Sequence, residues 1–333
     1  MHKTRMHKRS FIKGVAAIAV AVSTGFGGAV ATAQDDGEIV YLTPGLDLPF
    51  WRYLSKGVES AATEAGYGYQ ALDSRNNAQT QLQNAQDAIA RGVSGIVISP
   101  TDSSTAPSVI QQAERAGIPV VIADIGTDSG DYVSYIGSDN YEGAKGVGEA
   151  LAAALEEKEW AGEPVGLVTI SQARQNGQAR TKGFMDGLGE SGWTGEQADL
   201  QQMQAYTADE TFKFTQDMLT ANPGMRGMFV QTDSPAIGAM RAIKAARKGG
   251  EVLLAAFDGI PEFIPLLESG ELVASGMQQP YLMGQESGRA MVAHLAGETP
   301  EKEIVVPILV VTSENLGEVL PTVKETVFAN EVE

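Results

Sequence analysis

Apolar β-type runs alternate with amphipathic helical stretches along most of this chain. Runs at 39–42, 68–72, 95–99, 119–123, 133–136, 165–170, 225–231, 252–257, 273–277 and 304–311 predict strands. Between them, 51–65, 78–91, 105–116, 140–155, 178–190, 208–221, 234–248, 261–267 and 283–295 predict helices. Strict alternation with apolar, doubly covered strands predicts parallel α/β sheets. Glycines stand just past the helical patterns, at Gly66, Gly92, Gly117, Gly192, Gly249, Gly270 and Gly297, where a left-handed cap is expected. Asn76, Asp102, Asn140, Asp209 and Asp233 stand at the openings as N-cap candidates. The alternation runs to about Ser138 and then begins again, so the pattern predicts two similar halves.

In open α/β sheets, ligands sit beyond the carboxyl ends of the strands. The segments there are 44–51, 73–77, 100–102, 124–125, 138–140, 171–180, 232–234, 258–259 and 278–279. They are rich in Asp, Asn and Gln and include aromatics, a lining suited to a neutral polyhydroxylated ligand. The stretch 41–54 reads as strand, turn and helix start, with Phe50 and Trp51 adjacent in the turn region. Neighbouring helical side chains point about 100° apart, so one ring is expected to pack and the other to face a cleft. Bland readings compete. Asp124 and Asp258 can serve as caps, Asn76, Asn77 and Asp102 as turn formers, Arg180 as half of a structural ion pair, and the 241–248 basic cluster as a solvated helix face.

The first 33 residues form a separate unit of meaning. A basic head (Lys3, Arg5, Lys8, Arg9, Lys13), an apolar run at 14–22 and Ala31-Thr32-Ala33 match a secretory signal peptide cleaved near Ala33. The apolar run is too short for a membrane span, and KRSFIK at 8–13 resembles a twin-arginine signal with lysine in the first place. A mature chain of about 300 residues suggests two lobes. The formal charge is −18, and the leader holds five of the 24 basic residues and no acidic ones, so the mature chain is more acidic still. Such a chain is repelled by phosphate, which argues against nucleic acid or anionic membrane as partner. The absence of cysteine excludes disulfides, thiolate metal sites, a cysteine nucleophile and a lipid-anchored cysteine, and a freely diffusing periplasmic protein is expected. His294 is the one histidine beyond the leader. With no clustered metal ligands either, the usual nucleophile–base arrangements are unavailable, and no enzyme, cofactor or metal is expected. The rival enzyme reading uses Asp124 and Asp258 as acid and base on a glycoside.

An ordered series of motifs carries a family resemblance: PFW at 49–51, LDSRNN at 72–77, SPTDS at 99–103, GIPVVIAD at 117–124, IGSDN at 136–140, ARTKGF at 179–184, LTANPGMRGMFVQTD at 219–233 and FDGIP at 257–261. Over residues 38–320 the chain resembles the periplasmic sugar-binding proteins of ABC importers, of the ribose- and galactose-binding type. The resemblance implies the type I periplasmic binding protein fold, an α/β architecture of two Rossmann-like lobes with parallel sheets joined by a three-crossover hinge. It places an N-terminal lobe at 34–138 plus 279–306 and a C-terminal lobe at 139–278 plus 307–333, with crossovers near 138–140, 278–279 and 306–307. It implies a monomeric carrier that takes a neutral sugar or polyol to the permease subunits of an ABC importer, or alternatively a sensor reporting occupancy to a membrane receptor. A transcription repressor shares this fold, but the leader and the missing DNA-binding helices oppose it.

The resemblance also implies site residues. Phe50 and Trp51 match the aromatic pair that sandwiches the sugar, Tyr206 a ring on the other lobe, Asp124 and Asp258 two hydroxyl-binding aspartates, and Gln278 a hinge glutamine. Four positions depart from the ribose pattern: Ile125 stands where it has an arginine, Gln178 at a second ligand-binding arginine, Thr232 at an asparagine and Leu48 at another. Arg174, in the same loop as Gln178, is the candidate substitute. Isoleucine offers none of the donors of an arginine fork, and an unpaired ligand hydroxyl costs about 1 to 3 kcal/mol. An acceptor-rich pocket for a neutral, hydroxyl-donating ligand other than a ribose specialist's is therefore expected.

Overall fold

The computed structural model describes residues 37–331, so the predicted leader lies outside the described residues. The chain begins β1 (Glu38–Thr43), α1 (Pro49–Glu64), β2 (Gly68–Asp73), α2 (Ala78–Arg91), β3 (Gly95–Ile98), α3 (Ala106–Arg115), β4 (Val120–Ala123) and β5 (Tyr135–Gly137). It continues α4 (Asn140–Glu157), β6 (Val165–Thr169), α5 (Gln175–Glu190), β7 (Gln197–Gln202), α6 (Ala208–Ala221), β8 (Gly227–Val230), α7 (Ser234–Ala245), β9 (Leu253–Phe257), α8 (Phe263–Glu268) and β10 (Leu272–Met277). It closes with α9 (Pro280–Leu295), β11 (Glu303–Val305), β12 (Leu309–Thr312), α10 (Leu316–Thr322) and a π-helical turn at Val323–Val327.

Two six-stranded sheets result, ordered β11-β5-β4-β3-β1-β2 and β12-β10-β9-β8-β6-β7. All pairings are parallel except β12, which runs antiparallel on β10. The chain leaves the first sheet after β5, returns after β10 and crosses again between β11 and β12.

The period-2 alternation of a strand explains the double covering. Ile39 and Tyr41 join Leu54, Val58 and Met291 in one apolar cluster, whereas Val40 and Leu42 join Ala85, Val109 and Ile110 in another on the opposite face. The second sheet repeats this, with Leu167, Phe229 and Ala255 on one face and Val168, Val230 and Ala256 on the other. Helix pairs on both sheets approach closely through glycine. A methyl at Gly57 would overlap the Tyr281 carbonyl between α1 and α9, and one at Gly183 would overlap the Tyr141 carbonyl between α5 and α4.

Several boundaries differ from those predicted, for local reasons. The strand β7, QADLQQ, is absent from the predicted set because it is a half-exposed edge strand paired only with β6, so its composition is polar. The run 304–311 is split between both sheets as β11 and β12, around Pro307, which has no N–H for a ladder. Caps shift by a residue or two: Asn77 rather than Asn76 accepts from Thr80 N at 2.9 Å, Asp139 rather than Asn140 accepts from Glu142 N at 3.0 Å, and Thr207 rather than Asp209 accepts from Glu210 N at 3.2 Å. Gly249 does not take the left-handed role; Arg247 (φ 56°) and Gly250 (φ 75°) do.

Candidate functional site

The carboxyl ends of the two sheets face a shared cleft, and each sheet contributes an aspartate one residue beyond a central strand. Asp124 follows β4 and Asp258 follows β9. Each N–H still extends the ladder, Asp124 N to Ile136 O at 2.8 Å and Asp258 N to Gly276 O at 2.9 Å. Each backbone then turns left-handed, with φ 64° and 60°. For a residue with a Cβ that conformation costs about 1–2 kcal/mol, tolerated best by short polar side chains. The turn leaves both carboxyl groups lining the cleft, where they are nearly fully buried.

The two carboxyl groups are held differently. Asp258 Oδ1 accepts from Gln278 Nε2 at 2.9 Å, and its Oδ2 pairs with Arg180 Nη1 at 3.1 Å and receives a long bond from Thr232 Oγ1 at 3.4 Å. Asp124 Oδ2 accepts from Asn176 Nδ2 at 3.2 Å, while Oδ1 has no partner. Burial pushes Asp124 up to about 6; Arg180 opposes the shift and the Asp258 charge adds to it. Asp233, the N-cap of α7, is pushed up to about 7, first by burial and then by Asp258, against the pull of the Ser234 and Phe50 backbone N–H groups.

Arg180 is the basic anchor of the site. Its Nε donates to Asn140 Oδ1 at 2.8 Å, its Nη1 also donates to Gln231 O at 2.8 Å, and its guanidinium lies 4.1 Å from the centre of the Phe257 ring. The expected ion pair of Arg180 is therefore present, and in addition the side chain lines the cavity. Gln178 is corrected: it is exposed, and its Nε2 donates to Gln172 O at 2.8 Å. The helix α5 starts at Gln175, and its buried positions include Asn176, Gly177, Arg180, Gly183 and Phe184. Gln178 lies about 200° round the axis from Asn176, on the solvent side. Asn176, buried and bonded to Asp124, faces the cavity without having been singled out, because a lone Asn inside a polar loop gives no signal.

Both aromatics of the first stretch line the cavity, which corrects the division of labour expected for them. Phe50 and Trp51 are buried and meet edge to face, with centroids 4.8 Å apart at 86°. They occupy the first turn of α1, which opens on Pro49 with no side-chain cap at Leu48. No preceding helical turn lies beneath them, so two directions 100° apart can both end in the cleft. Tyr206 faces them from the second sheet's side. Thr207 caps α6, and the Glu210 carboxylate reaches back past it to accept the N–H groups of Gln204, Ala205 and Tyr206 at 2.8, 2.9 and 2.9 Å. Tyr206 is thereby held at φ 56°, and its hydroxyl accepts from Ser171 N at 3.0 Å.

The inner cavity brings together Phe50, Trp51, Asp124, Arg174, Tyr206, Thr232 and Asp258 with Leu48, Ile170, Asn176 and Arg180. It retains about 20 Å³ that a water molecule can enter, so the cleft is closed. Gln278 is fully buried behind it, its amide contributing to the balance at both aspartates. Ile125, also fully buried, packs into the first sheet's core and offers no donor. Two buried atoms of cavity-lining residues have no partner, Asp124 Oδ1 and Asn176 Oδ1. Both are acceptors, so the cavity calls for a ligand that donates hydrogen bonds. Among the described residues no group of three or more His, Asp or Glu is placed to hold a metal ion, and no helix is long and apolar enough to cross a membrane.

Comparison with known proteins agrees with this geometry. Residues 39–299 match the family model described as a periplasmic binding protein domain. The ribose import binding protein RbsB of Haemophilus influenzae is 32% identical over 309 residues, spanning 92% of this chain and 100% of the relative. A carbohydrate transporter solute binding protein of Agrobacterium radiobacter, solved with D-arabinose, superposes with TM-score 0.80 at 22% identity, covering 87% of this chain and 98% of that one. An ABC transporter solute binding protein of Bacillus halodurans with bound myo-inositol gives TM-score 0.78 at 21% identity, covering 85% and 96%. With its two parallel-dominated sheets meeting at this cleft, the chain belongs to the periplasmic binding protein family, as a type I sugar-binding protein that serves import and not catalysis.

Proposed function

We propose that the protein captures one neutral monosaccharide or polyol between Phe50 and Trp51 on the first lobe and Tyr206 on the second. The observation that carries this reading is the pair of unpartnered acceptors, Asp124 Oδ1 and Asn176 Oδ1, enclosed with aromatic rings. Hydroxyl groups donate to the acceptors while the ring C–H faces lie against the aromatics. Asp258 and Thr232 complete the polar lining, with Arg180 donating from behind Asp258. Of the two family arginines read as lost, Ile125 accounts for one, whereas Arg180 supplies a guanidinium two positions from Gln178. An anionic sugar acid is disfavoured, because two buried carboxyl groups, Asp124 and Asp258, line the cleft and only Asp258 is paired with an arginine.

In this reading the lobes are 34–138 plus 279–306 and 139–278 plus 307–333, and ligand bridging favours the closed state through differential contact. The protein is exported by its leader, cleaved near Ala33, works as a freely diffusing monomer in the periplasm with no lipid anchor, and hands its ligand to the permease subunits of an ABC importer. Relatives named as import binding proteins favour transport over a purely sensory role. A thermal-shift screen tests the reading, since a tight ligand raises the melting temperature by mass action. Neutral pentoses, hexoses or polyols should stabilise, and the matching sugar acids should not. Stabilisation by the acids alone, or by no sugar at all, sinks it.

A further inference from the structure

We infer that Arg174 is a positioning residue that straps the second lobe to the first across the mouth of the cleft, setting how long a ligand stays without selecting which one is held. The inference rests on the sugar-binding reading for its kinetic consequence and on geometry alone for the strap. Arg174 is the N-cap residue of α5, with extended backbone (φ −99°, ψ 132°) and no side-chain capping bond. Its side chain instead leaves the second sheet's half of the molecule. Nε donates to Thr101 O at 2.8 Å and Nη2 donates to Asn76 Oδ1 at 2.9 Å, both acceptors lying in loops at the carboxyl ends of first-sheet strands. The guanidinium lies 5.2 Å from the centre of the Tyr206 ring, and the residue is 5% exposed.

Both ends of the strap are fixed independently. On the first lobe, Asn76 is held left-handed (φ 51°), with its N–H donating to Pro44 O at 2.5 Å. On the second, the Glu210 carboxylate and the Ser171 bond immobilise Tyr206. Arg174 and Tyr206, together with Leu48 and Trp51, line both the inner cavity and a wider outer basin bounded by Asp47, Asp73 and Gln204. These four side chains are therefore the partition between ligand and solvent. The two strap bonds join protein to protein. They add the same closing free energy whatever sugar lies beneath, so breaking them should accelerate release of every sugar by the same factor.

Asn76 supplies the decisive control, because it lines the outer basin but not the inner cavity. Asn76→Ala removes the Nη2 bond without touching the ligand's surroundings; Arg174→Ala removes both bonds. Stopped-flow release should show dissociation about tenfold faster in Asn76→Ala and about tenfold to a hundredfold faster in Arg174→Ala, with the order of affinities across a sugar panel unchanged. A second readout needs no sugar. The chain has no cysteine, so Gln79→Cys on α2 and Lys213→Cys on α6 can carry a unique pair of spin labels. In the ligand-free protein both strap variants should shift the interlobe distance distribution to longer values. A change of sugar ranking in Arg174→Ala but not Asn76→Ala overturns the inference, since Arg174 then reads the ligand. An unchanged distance distribution together with unchanged dissociation in both variants overturns it as well. Failure of the wild-type protein to bind any sugar refutes the sugar reading alone, and the spin-label distances still decide the strap.

Discussion

Replacing Asp124 by Asn should weaken sugar binding and strengthen the ligand-free fold, and the two effects can be sized from one carboxyl group. Asp124 is 1% exposed, and burial raises it from 3.8 to about 6. At pH 7.5 it is ionised in the folded state, and keeping that charge out of water costs about 3 kcal/mol relative to the unfolded chain. The attraction of Arg180 is already counted in that figure, because it lowers the same pKa. The isosteric amide removes the penalty while its own oxygen can still accept the Asn176 Nδ2 bond, now 3.2 Å long. What faces the ligand in place of Oδ1 is then an NH2 donor. A sugar hydroxyl that donated to a carboxylate loses a charge-assisted bond, about 1.5–3 kcal/mol, or roughly 10- to 150-fold in Kd. Differential scanning calorimetry without ligand and isothermal titration with it, both at pH 7.5, separate the two effects. The calorimetric gain should shrink as pH falls below about 6 and vanish well below pH 3.8, where the carboxyl is protonated in both folded and unfolded chains. Unchanged affinity, or a ligand-free variant less stable than the parent at pH 7.5, would refute the assignment of Oδ1 as an ionised, ligand-facing acceptor.

The same reasoning extends to other residues. A carboxyl raised on folding binds protons that the unfolded chain releases, so it lowers stability as pH rises from 3.8 to its folded value. For Asp233, raised to about 7, this window reaches neutrality, and Asp233→Asn should flatten the fall in denaturant midpoint between pH 5 and 7.5. Sugar hydroxyls donating to Asp124 favour its ionised form, so binding near pH 6 should release protons, read as a dependence of calorimetric heat on buffer ionisation enthalpy that vanishes at pH 8. Trp51→Ala should weaken binding at least tenfold, about 1.4 kcal/mol, by isothermal titration. In α5, Gly183→Ala should destabilise by about 1–3 kcal/mol because the methyl meets the Tyr141 carbonyl. Gly189→Ala, in the same helix with open space around it, should stabilise by about 0.4–1 kcal/mol in the same denaturation assay.

Hydrophobic periodicity was enough to predict most of the strand and helix series, because each sheet is buried on both faces and its central strands are uniformly apolar, as β3 and β4 are. Legibility failed where burial did. The polar edge strand β7 carries no apolar run, and α10 with the following π-helical turn comprises 316–327, a short segment with few fully buried side chains. The site divides along the same line. Asp124 and Asp258 stand immediately beyond strands, and Phe50 and Trp51 open the helix that follows β1, so sequence position alone places them at the sheet's carboxyl edge. Asn176 and Arg180 lie inside the first two turns of α5, where exposure depends on where the helix starts. A start predicted at 178 instead of Gln175 is enough to confuse the facing positions, and the ligand-side guanidinium was read two residues early, at Gln178.

The contacts that close the cleft are the least legible of all, since each joins segments about 50 to 100 residues apart: Asn176 to Asp124, Arg174 to Thr101, Arg174 to Asn76. Local preference says only that these residues are polar and sit in loops. Their pairing follows from the near-equivalence of the two halves, which sets one carboxyl edge against the other and makes Asp124 and Asp258 counterparts. Equivalence of backbone does not carry over to chemistry. Asp258 is neutralised by Arg180 and filled by Gln278, whereas Asp124 keeps one oxygen unpaired and a raised pKa. The first lobe thus presents the open acceptor and the second lobe brings the compensated pair and the strap. Closure on a hydroxyl donor satisfies the former while adding no unpaired charge to the latter. In the proposed reading that asymmetry is a physical reason for a ligand to favour the closed state, since a hydroxyl donor held in the cavity meets the open acceptors Asp124 Oδ1 and Asn176 Oδ1 at once.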